Sequence, residues 1–110
     1  MPEIDKQTQE KIQQLQSYEQ ALHTLLMQKQ AFQAELNETE NALSEIIKTK
    51  DDVFKLVGNI MIKSDKKKIE EELKKKQGLI QLRLKSIEKQ ETQLEKQVEE
   101  IREEVMKRIK

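Results

Sequence analysis

Cysteine and tryptophan are absent from this 110-residue sequence, which also has only one proline and two glycines. Without cysteine the chain can form neither a disulfide framework nor a thiolate nucleophile, and a reducing cytosol is the simplest compartment. Aromatic residues make up 3% of the chain, so a conventional globular core would be hard to fill. Positive and negative charges balance at 21 each, which removes any general attraction to nucleic acid or to anionic lipid.

Long apolar runs are missing as well. No stretch approaches the roughly 20 residues of a membrane span, and the start, MPEIDKQTQE, lacks the apolar segment of a secretory signal. The single histidine, His23, cannot form a metal site alone. The sequence has no glycine-rich phosphate loop and no carboxylate pair expected in a cleft, as acid–base catalysis requires. We therefore expect a soluble, cytoplasmic protein that is not an enzyme and needs no cofactor or metal.

Lys, Glu, Gln and Leu dominate the chain, and 38% of it is charged. This bias is typical of long helices and coiled coils, with disorder as the alternative. Heptad spacing over residues 3–51 favours a helix. One row of this first helix is Leu15, Leu22, Lys29, Leu36, Leu43 and Lys50, and the other is Ile4, Lys11, Tyr18, Leu25, Phe32, Thr39, Ile46 and Val53.

Residues 65–110 carry a second heptad stripe with a few polar breaks. Ser64 or Asp65 can cap the start of this helix, because a short side-chain oxygen accepts a bond from a free backbone N–H. Gly78 lies inside it and costs about 1 kcal/mol relative to alanine. The rows are Leu73, Ile80, Ile87, Leu94 and Ile101, and Gln77, Leu84, Glu91, Val98 and Val105.

The block VFKLVGNIMIK, residues 53–63, separates the two stripes. Two short runs of β-branched and apolar residues around Gly58-Asn59 predict a β-hairpin with a two-residue turn. The turn reverses the chain, so the two helices should lie antiparallel. Pairing across the turn sets Val57 opposite Ile60 and Leu56 opposite Met61.

Both faces of this hairpin are then largely apolar, whereas a half-exposed hairpin would show one polar face. An isolated hairpin is marginal in water and has two open edges. The apolar stripes of the two helices are expected to pack against each other, which leaves neither stripe to cover the hairpin. We therefore expect other chains to cover it. The alternative is an apolar loop that packs locally against the ends of its own helices. The predicted assembly residues are Val53, Phe54, Leu56, Val57, Gly58, Asn59, Ile60, Met61 and Ile62.

The sequence resembles the prefoldin family, in its single-hairpin beta type found in archaea. The resemblance rests on VFKLVGNIMIK, on LIQLRLKSIEKQETQLEKQ (79–97) and on YEQALHTLLMQKQAFQAELNET (18–39). It implies one prefoldin-like domain over residues 1–110, whose hairpin joins an oligomeric β-barrel platform. It also implies an ATP-independent chaperone that captures unfolded clients at coiled-coil tips and passes them to a group II chaperonin. The implied partners are alpha-type subunits and further copies of this chain, as two alpha plus four beta subunits.

Apolar residues near the chain ends are candidates for client contact, since flexible apolar side chains suit non-specific binding. Ordinary packing between the helix ends is the alternative. Leu79 and Leu82 lie off the stripe and are expected to pack against the platform. Leu26 and Met27 also lie off the stripe, and they are interpreted as scattered surface residues, with contact to a client or a neighbouring subunit as the alternative. The predicted tip residues are Ile4, Ile12, Val105, Met106 and Ile109.

Lys66-Lys67-Lys68 and Lys74-Lys75-Lys76 flank Glu70-Glu71-Glu72. Each Glu has a Lys one turn later, which predicts ion pairs on a solvated face rather than a phosphate site. Two rival functions remain open at this point. One is a coiled-coil scaffold or oligomerisation adaptor without chaperone activity. The other is a nucleic-acid-binding arm, which the pairing of Lys with Glu disfavours.

Overall fold

The computed structural model describes residues 4–109. Helix α1 spans Lys6–Lys48, strand β1 Val53–Val57, strand β2 Ile60–Ser64 and helix α2 Lys66–Ile109. The predicted ranges were about 3–51, 53–63 and 65–110, so the predicted helix start at residue 3 and end at residue 110 lie outside the described residues. Two long helices with an antiparallel β-hairpin between them confirm the predicted fold class.

The contacts divide the chain into two compact units. We call one the end unit, which comprises the described residues up to Gln30 and from Lys85 onward. We call the other the hairpin unit, Ala31–Leu84. Both helices contribute to each unit.

In the end unit, α1 and α2 pack antiparallel. Arg108 donates to Gln7 over 3.1 Å, Arg102 to Glu19 over 3.2 Å, and Lys29 Nζ lies 3.2 Å from Glu91 Oε1. Residue numbers rise along one helix as they fall along the other. Burial of a large apolar side chain contributes about 1.5–3 kcal/mol, and the buried apolar residues here are Leu25, Ile87, Val98, Ile101 and Val105.

In the hairpin unit the buried cluster is Leu36, Ile80 and Leu84, against which half-buried Phe32 packs. The Arg83 guanidinium lies 5.5 Å from the centre of the Phe32 ring, so a cation covers the outer face of the aromatic side chain. The helices therefore close one small apolar core here as well.

The heptad prediction is confirmed by this burial. None of the predicted stripe residues of α2 is exposed. Of the stripe residues predicted for the first helix, Ile4 and Lys50 are exposed, and both lie outside α1. Thr39 occupies an apolar stripe position and is nevertheless buried, because its hydroxyl donates to the Glu35 carbonyl over 2.8 Å.

Aspartates begin both helices. The Thr8 N–H donates to Asp5 Oδ1 over 2.7 Å, and the Lys67 N–H donates to Asp65 Oδ1 over 3.3 Å. Each carboxylate thus satisfies a backbone donor that the first helical turn leaves free. The capping residue of α2 is therefore Asp65, one of the two that the sequence allowed.

Candidate functional site

The β-hairpin has the predicted register. Val57 pairs with Ile60, Leu56 with Met61 and Lys55 with Ile62. Gly58 has φ +62°, and Asn59 does not have a positive φ. A positive φ at the first central position alone is typical of a type II′ turn, which favours glycine there. Gly58 therefore fixes the tight reversal that the sequence predicted.

Both faces of the hairpin are exposed to solvent. Alternation along the strands places Lys55, Val57, Ile60 and Ile62 on one face, which we call the lysine-55 face. The opposite face, which we call the methionine-61 face, carries Phe54, Leu56 and Met61. The exposed fractions are 51% for Val57, 65% for Ile60, 50% for Ile62, 52% for Phe54, 68% for Leu56 and 68% for Met61. Neither face is covered by a helix of the same chain.

The strand edges are open too. In the described part of the chain the sheet has two strands only, so each strand has one edge without a β partner. Open edges pair readily with strands of other chains. Two apolar faces and two unpaired edges within 12 residues make the hairpin the strongest candidate for assembly with other subunits. Val53, half-buried at the start of β1, belongs to the same block.

A lysine fixes the base of the hairpin. Lys66 Nζ donates to the Thr49 carbonyl over 2.9 Å and to the Ile47 carbonyl over 3.3 Å. These carbonyls lie at the C-terminal end of α1, where cations are favoured because the last carbonyls lack partners within the helix. The first residue of α2 is thereby tied to the end of α1. The sequence pattern does not indicate this role, because Lys66 stands in a run of charges that is predicted to be solvated.

The predicted ion pairs of that run form only in part. Lys74 pairs with Glu70 over 3.3 Å, as the four-residue spacing predicts. Glu72 instead receives Lys55 of β1 over 3.0 Å, and Lys76 lies 3.5 Å from Glu35 of α1. Glu72 and Lys76, which the four-residue spacing would pair with each other, thus each pair with a charge on β1 or α1. Lys55 and Glu72 connect the hairpin directly to α2.

The predicted tip residues differ in exposure. Met106 is 57% exposed, Ile4 44% and Ile109 39%, while Ile12 is half-buried. Val105 is 7% exposed and belongs to the interface between the helices of the end unit. We correct the expectation that Val105 is available at the surface: its place in the heptad row, rather than its nearness to the chain end, decides its burial.

The charges around this end are paired. Lys11 forms an ion pair with Glu104, and the Lys11 ammonium lowers the pKa of the Glu104 carboxyl. The pKa of Asp5 is also lowered, first by its hydrogen bond with the Thr8 hydroxyl and then by the Thr8 N–H. Both carboxylates therefore act as charged structural partners within the end unit.

The described residues contain no cluster of three or more His, Cys, Asp or Glu that could hold a metal ion. Over residues 4–109, neither helix contains an apolar stretch long enough to span a membrane.

A family model described as "Prefoldin subunit" matches residues 9–110. The chain belongs to the prefoldin family. Among named relatives, the prefoldin subunit beta of Pyrococcus furiosus is 39% identical over 92% of this chain and 88% of its own length. The prefoldin subunit beta of Pyrobaculum arsenaticum is 32% identical over 99% of this chain and 90% of its own length.

A solved structure agrees with this assignment. The crystal structure of the prefoldin beta subunit from Thermococcus strain KS-1 superposes with a TM-score of 0.89 at 36% identity, covering 97% of this chain and 96% of that chain. The resemblance noted in the sequence is confirmed. Prefoldins are chaperones that work with group II chaperonins, and they are not an enzyme family. Membership also implies a prefoldin complex that includes alpha subunits.

Proposed function

We propose that this prefoldin chain is a beta-type subunit whose hairpin builds an oligomeric platform and whose chain ends hold unfolded proteins. It forms a single prefoldin-like domain in a hexamer of two alpha-type and four beta-type subunits. It works without ATP, in the cytoplasm, and transfers its clients to a group II chaperonin. Nucleic acid and membranes are not among its partners.

The exposure of the hairpin supports the platform most directly. Its six large apolar side chains on the two faces are each at least half exposed, while the stripes of both helices are covered. An apolar patch of this kind on a monomer is typical of an interaction site. The two unpaired strand edges supply the backbone groups that a barrel needs for closure. The platform residues are Val53, Phe54, Leu56, Val57, Gly58, Asn59, Ile60, Met61 and Ile62.

The exposed apolar residues of the end unit support client binding. Ile4, Met106 and Ile109 present apolar atoms that the helix interface does not use, and half-buried Ile12 extends the same set. Met adapts its shape to irregular apolar partners, which suits clients without a fixed structure. Val105 contributes by packing the helices together and stands outside this proposed contact set.

Aggregation of a denatured model protein tests the client site. We expect the Met106→Ser/Ile109→Ser variant, assembled with its partner subunit, to suppress aggregation several-fold less well than wild type. Leu26→Ser/Met27→Ser is the matched control, because these two residues are 43% and 54% exposed in the same unit. Native mass must stay unchanged in both variants. Equal loss of activity in the two variants contradicts a site at the chain ends.

A further inference from the structure

The hairpin joins the two helices through connections of unequal length. Residues 49–52 link the end of α1 to β1, whereas Asp65 alone separates β2 from α2. The large apolar side chains on both faces of the hairpin are each at least half exposed, so burial against the helices does not fix its direction. The direction of the hairpin relative to the helices is therefore set at its base, where these two connections meet.

Thr49 is the point at which the longer connection leaves α1. Its N–H donates to the Glu45 carbonyl over 3.0 Å, which continues the helical pattern by one residue. Its hydroxyl accepts the Asp51 N–H over 3.3 Å, a bond typical of turns at Ser and Thr. Its carbonyl accepts Lys66 Nζ over 2.9 Å. The first residue of α2 thus holds the chain at the place where it turns from α1 toward β1.

Lys66 differs from the other charged side chains at the hairpin. It is half-buried, and its ammonium group meets two carbonyls at a helix end, where a cation is favoured. Hydrogen bonds from a charged donor are also stronger than those between neutral groups. The other connections, Lys55–Glu72 and Lys63–Asp52, are surface ion pairs whose side chains are at least 43% exposed, and such pairs contribute little because solvent screens them. Lys66 is therefore the side chain best placed to hold the base rigid.

Rigidity at the base matters for assembly. Association must offset the entropy that is lost when a mobile surface becomes ordered, and a surface already held in its bound orientation loses less. A side chain that holds the base can therefore strengthen assembly without contacting another subunit.

We propose that Lys66 is a positioning residue for assembly. Its bonds to the carbonyls of Ile47 and Thr49 hold the hairpin in the orientation in which other subunits bind it. This inference rests on the proposed platform, and it adds a residue that acts through the backbone at the base rather than through the faces or edges of the strands.

Dilution of the complex with an alpha-type subunit tests the effect on assembly. We expect Lys66→Met, which keeps an aliphatic stem and removes the donors, to dissociate at a concentration at least about tenfold higher than wild type. Lys68→Met is the matched control, because it removes the same charge from an exposed position two residues later. Lys66→Arg keeps a cationic donor and should recover part of the loss. Helix content by circular dichroism should be unchanged in all three, since methionine and arginine are good helix formers.

Spin labels can measure the orientation of the hairpin, because the chain has no cysteine of its own. Labels on Asn59→Cys in the turn and Lys75→Cys on α2, both exposed positions, report their separation by pulsed EPR. The labelled chain carries Ile60→Asp, which should prevent assembly, and is diluted with the same chain unlabelled, so that the distance lies within one molecule. We expect Lys66→Met to broaden the distance distribution and Lys68→Met to leave it unchanged.

The outcomes separate this inference from the proposed function. If the wild-type complex forms but Lys66→Met dissociates at the same concentration, or if Lys68→Met has an equal effect, the positioning role is wrong and the platform stands. Weaker assembly without a broader distance distribution would mean that Lys66 contacts another subunit, and a fall in helix content would mean that it supports folding. Either result also overturns the positioning role. If wild type stays monomeric even with an alpha-type subunit, the proposed platform falls, and the inference with it.

Discussion

The ionised carboxylate of Asp5 stabilises the N-terminal end of α1. Its lowered pKa, caused first by the Thr8 hydroxyl, means that folding favours the ionised form. A carboxyl whose pKa is lower in the folded state stabilises the fold above its unfolded pKa, near 3.8, and this contribution is lost as pH falls through the folded pKa. Glu104, whose pKa is lowered by Lys11, acts in the same direction.

We therefore expect the Thr8 amide to lose hydrogen-exchange protection as pH falls from about 5 to below the folded pKa of Asp5. Asp5→Asn should keep the cap, because asparagine also caps well, yet lose most of this pH dependence. Carboxyl titration followed by NMR gives the Asp5 pKa directly. A value at or above 3.8 would contradict the assignment.

Lys29 and Glu91 show how two polar interruptions of apolar stripes compensate each other. Each interrupts the heptad row of its own helix, and the side chains meet across the end unit at 3.2 Å, with 36% and 15% of their surface exposed. A polar pair at such positions costs stability relative to apolar packing, but it disfavours staggers in which either charge meets an apolar residue. We therefore infer that the pair favours this local register of α1 against α2.

A charge swap tests this role. Lys29→Glu should lower the free energy of unfolding by about 1 kcal/mol, because it sets a second carboxylate against Glu91. The double variant Lys29→Glu/Glu91→Lys should recover most of that loss, giving a coupling of about 0.5–1 kcal/mol in a double-mutant cycle measured by urea unfolding. Purely additive effects would show that the pair does not interact.

At the scale of elements, two glycines offer a matched comparison of turn and helix. A Cβ added at Gly58 or at Gly78 has no heavy atom within 4 Å, so neither is excluded by packing. They differ in backbone conformation, because Gly58 alone has a positive φ. Gly58→Ala should cost about 1–2 kcal/mol through strain in the turn. Gly78→Ala should add about 1 kcal/mol to the stability of α2.

Thermal unfolding followed by circular dichroism at 222 nm measures the helix effect, and hydrogen exchange of the strand amides measures the turn effect. We expect Gly78→Ala to raise the melting temperature and Gly58→Ala to speed exchange in β1 and β2. The same sign for both substitutions in both measurements would show that backbone conformation does not separate the two positions.

The elements themselves could be read from the sequence because their signals are local. A spacing of alternately three and four residues predicted the buried stripes, and Gly58-Asn59 predicted the strand register. The bonds that tie elements together could not be read in this way. The bonds of Lys66 to the carbonyls at the end of α1 and of Lys55 to Glu72 join residues 17 to 19 positions apart. Nothing in the local pattern distinguishes these lysines from their solvated neighbours.

The candidate sites could be predicted from the sequence where a local pattern indicates them. The apolar character of the hairpin follows from its residue types. Its exposure follows because the apolar stripes of the two helices pack against each other and leave the hairpin uncovered. The burial of Val105 followed from the heptad row, although its position near the chain end suggested exposure. For such residues, periodicity was the better guide than distance from a terminus.

At the scale of the whole molecule, the division between covered helix stripes and a bare hairpin explains why the chain belongs in a complex. The helices bury their apolar rows against each other in both units, so they need no partner for that purpose. The hairpin lacks a covering layer on either face, and an isolated two-stranded hairpin is marginal in water. In the proposed platform, other subunits supply the covering layer for the hairpin that packing within the chain supplies for the helices.

A charge on the hairpin should separate assembly from folding. We expect Val57→Asp or Ile60→Asp to abolish the oligomer at micromolar concentration, because burying an unpaired carboxylate at an interface costs several kcal/mol. Helix content should remain close to that of wild type, since both side chains are at least 51% exposed in the single chain. Native mass spectrometry with an alpha-type subunit measures the first effect and circular dichroism the second. Leu26→Asp, on an exposed part of α1, is the control and should leave the mass unchanged. An intact oligomer in both hairpin variants would mean that the subunits join through another surface.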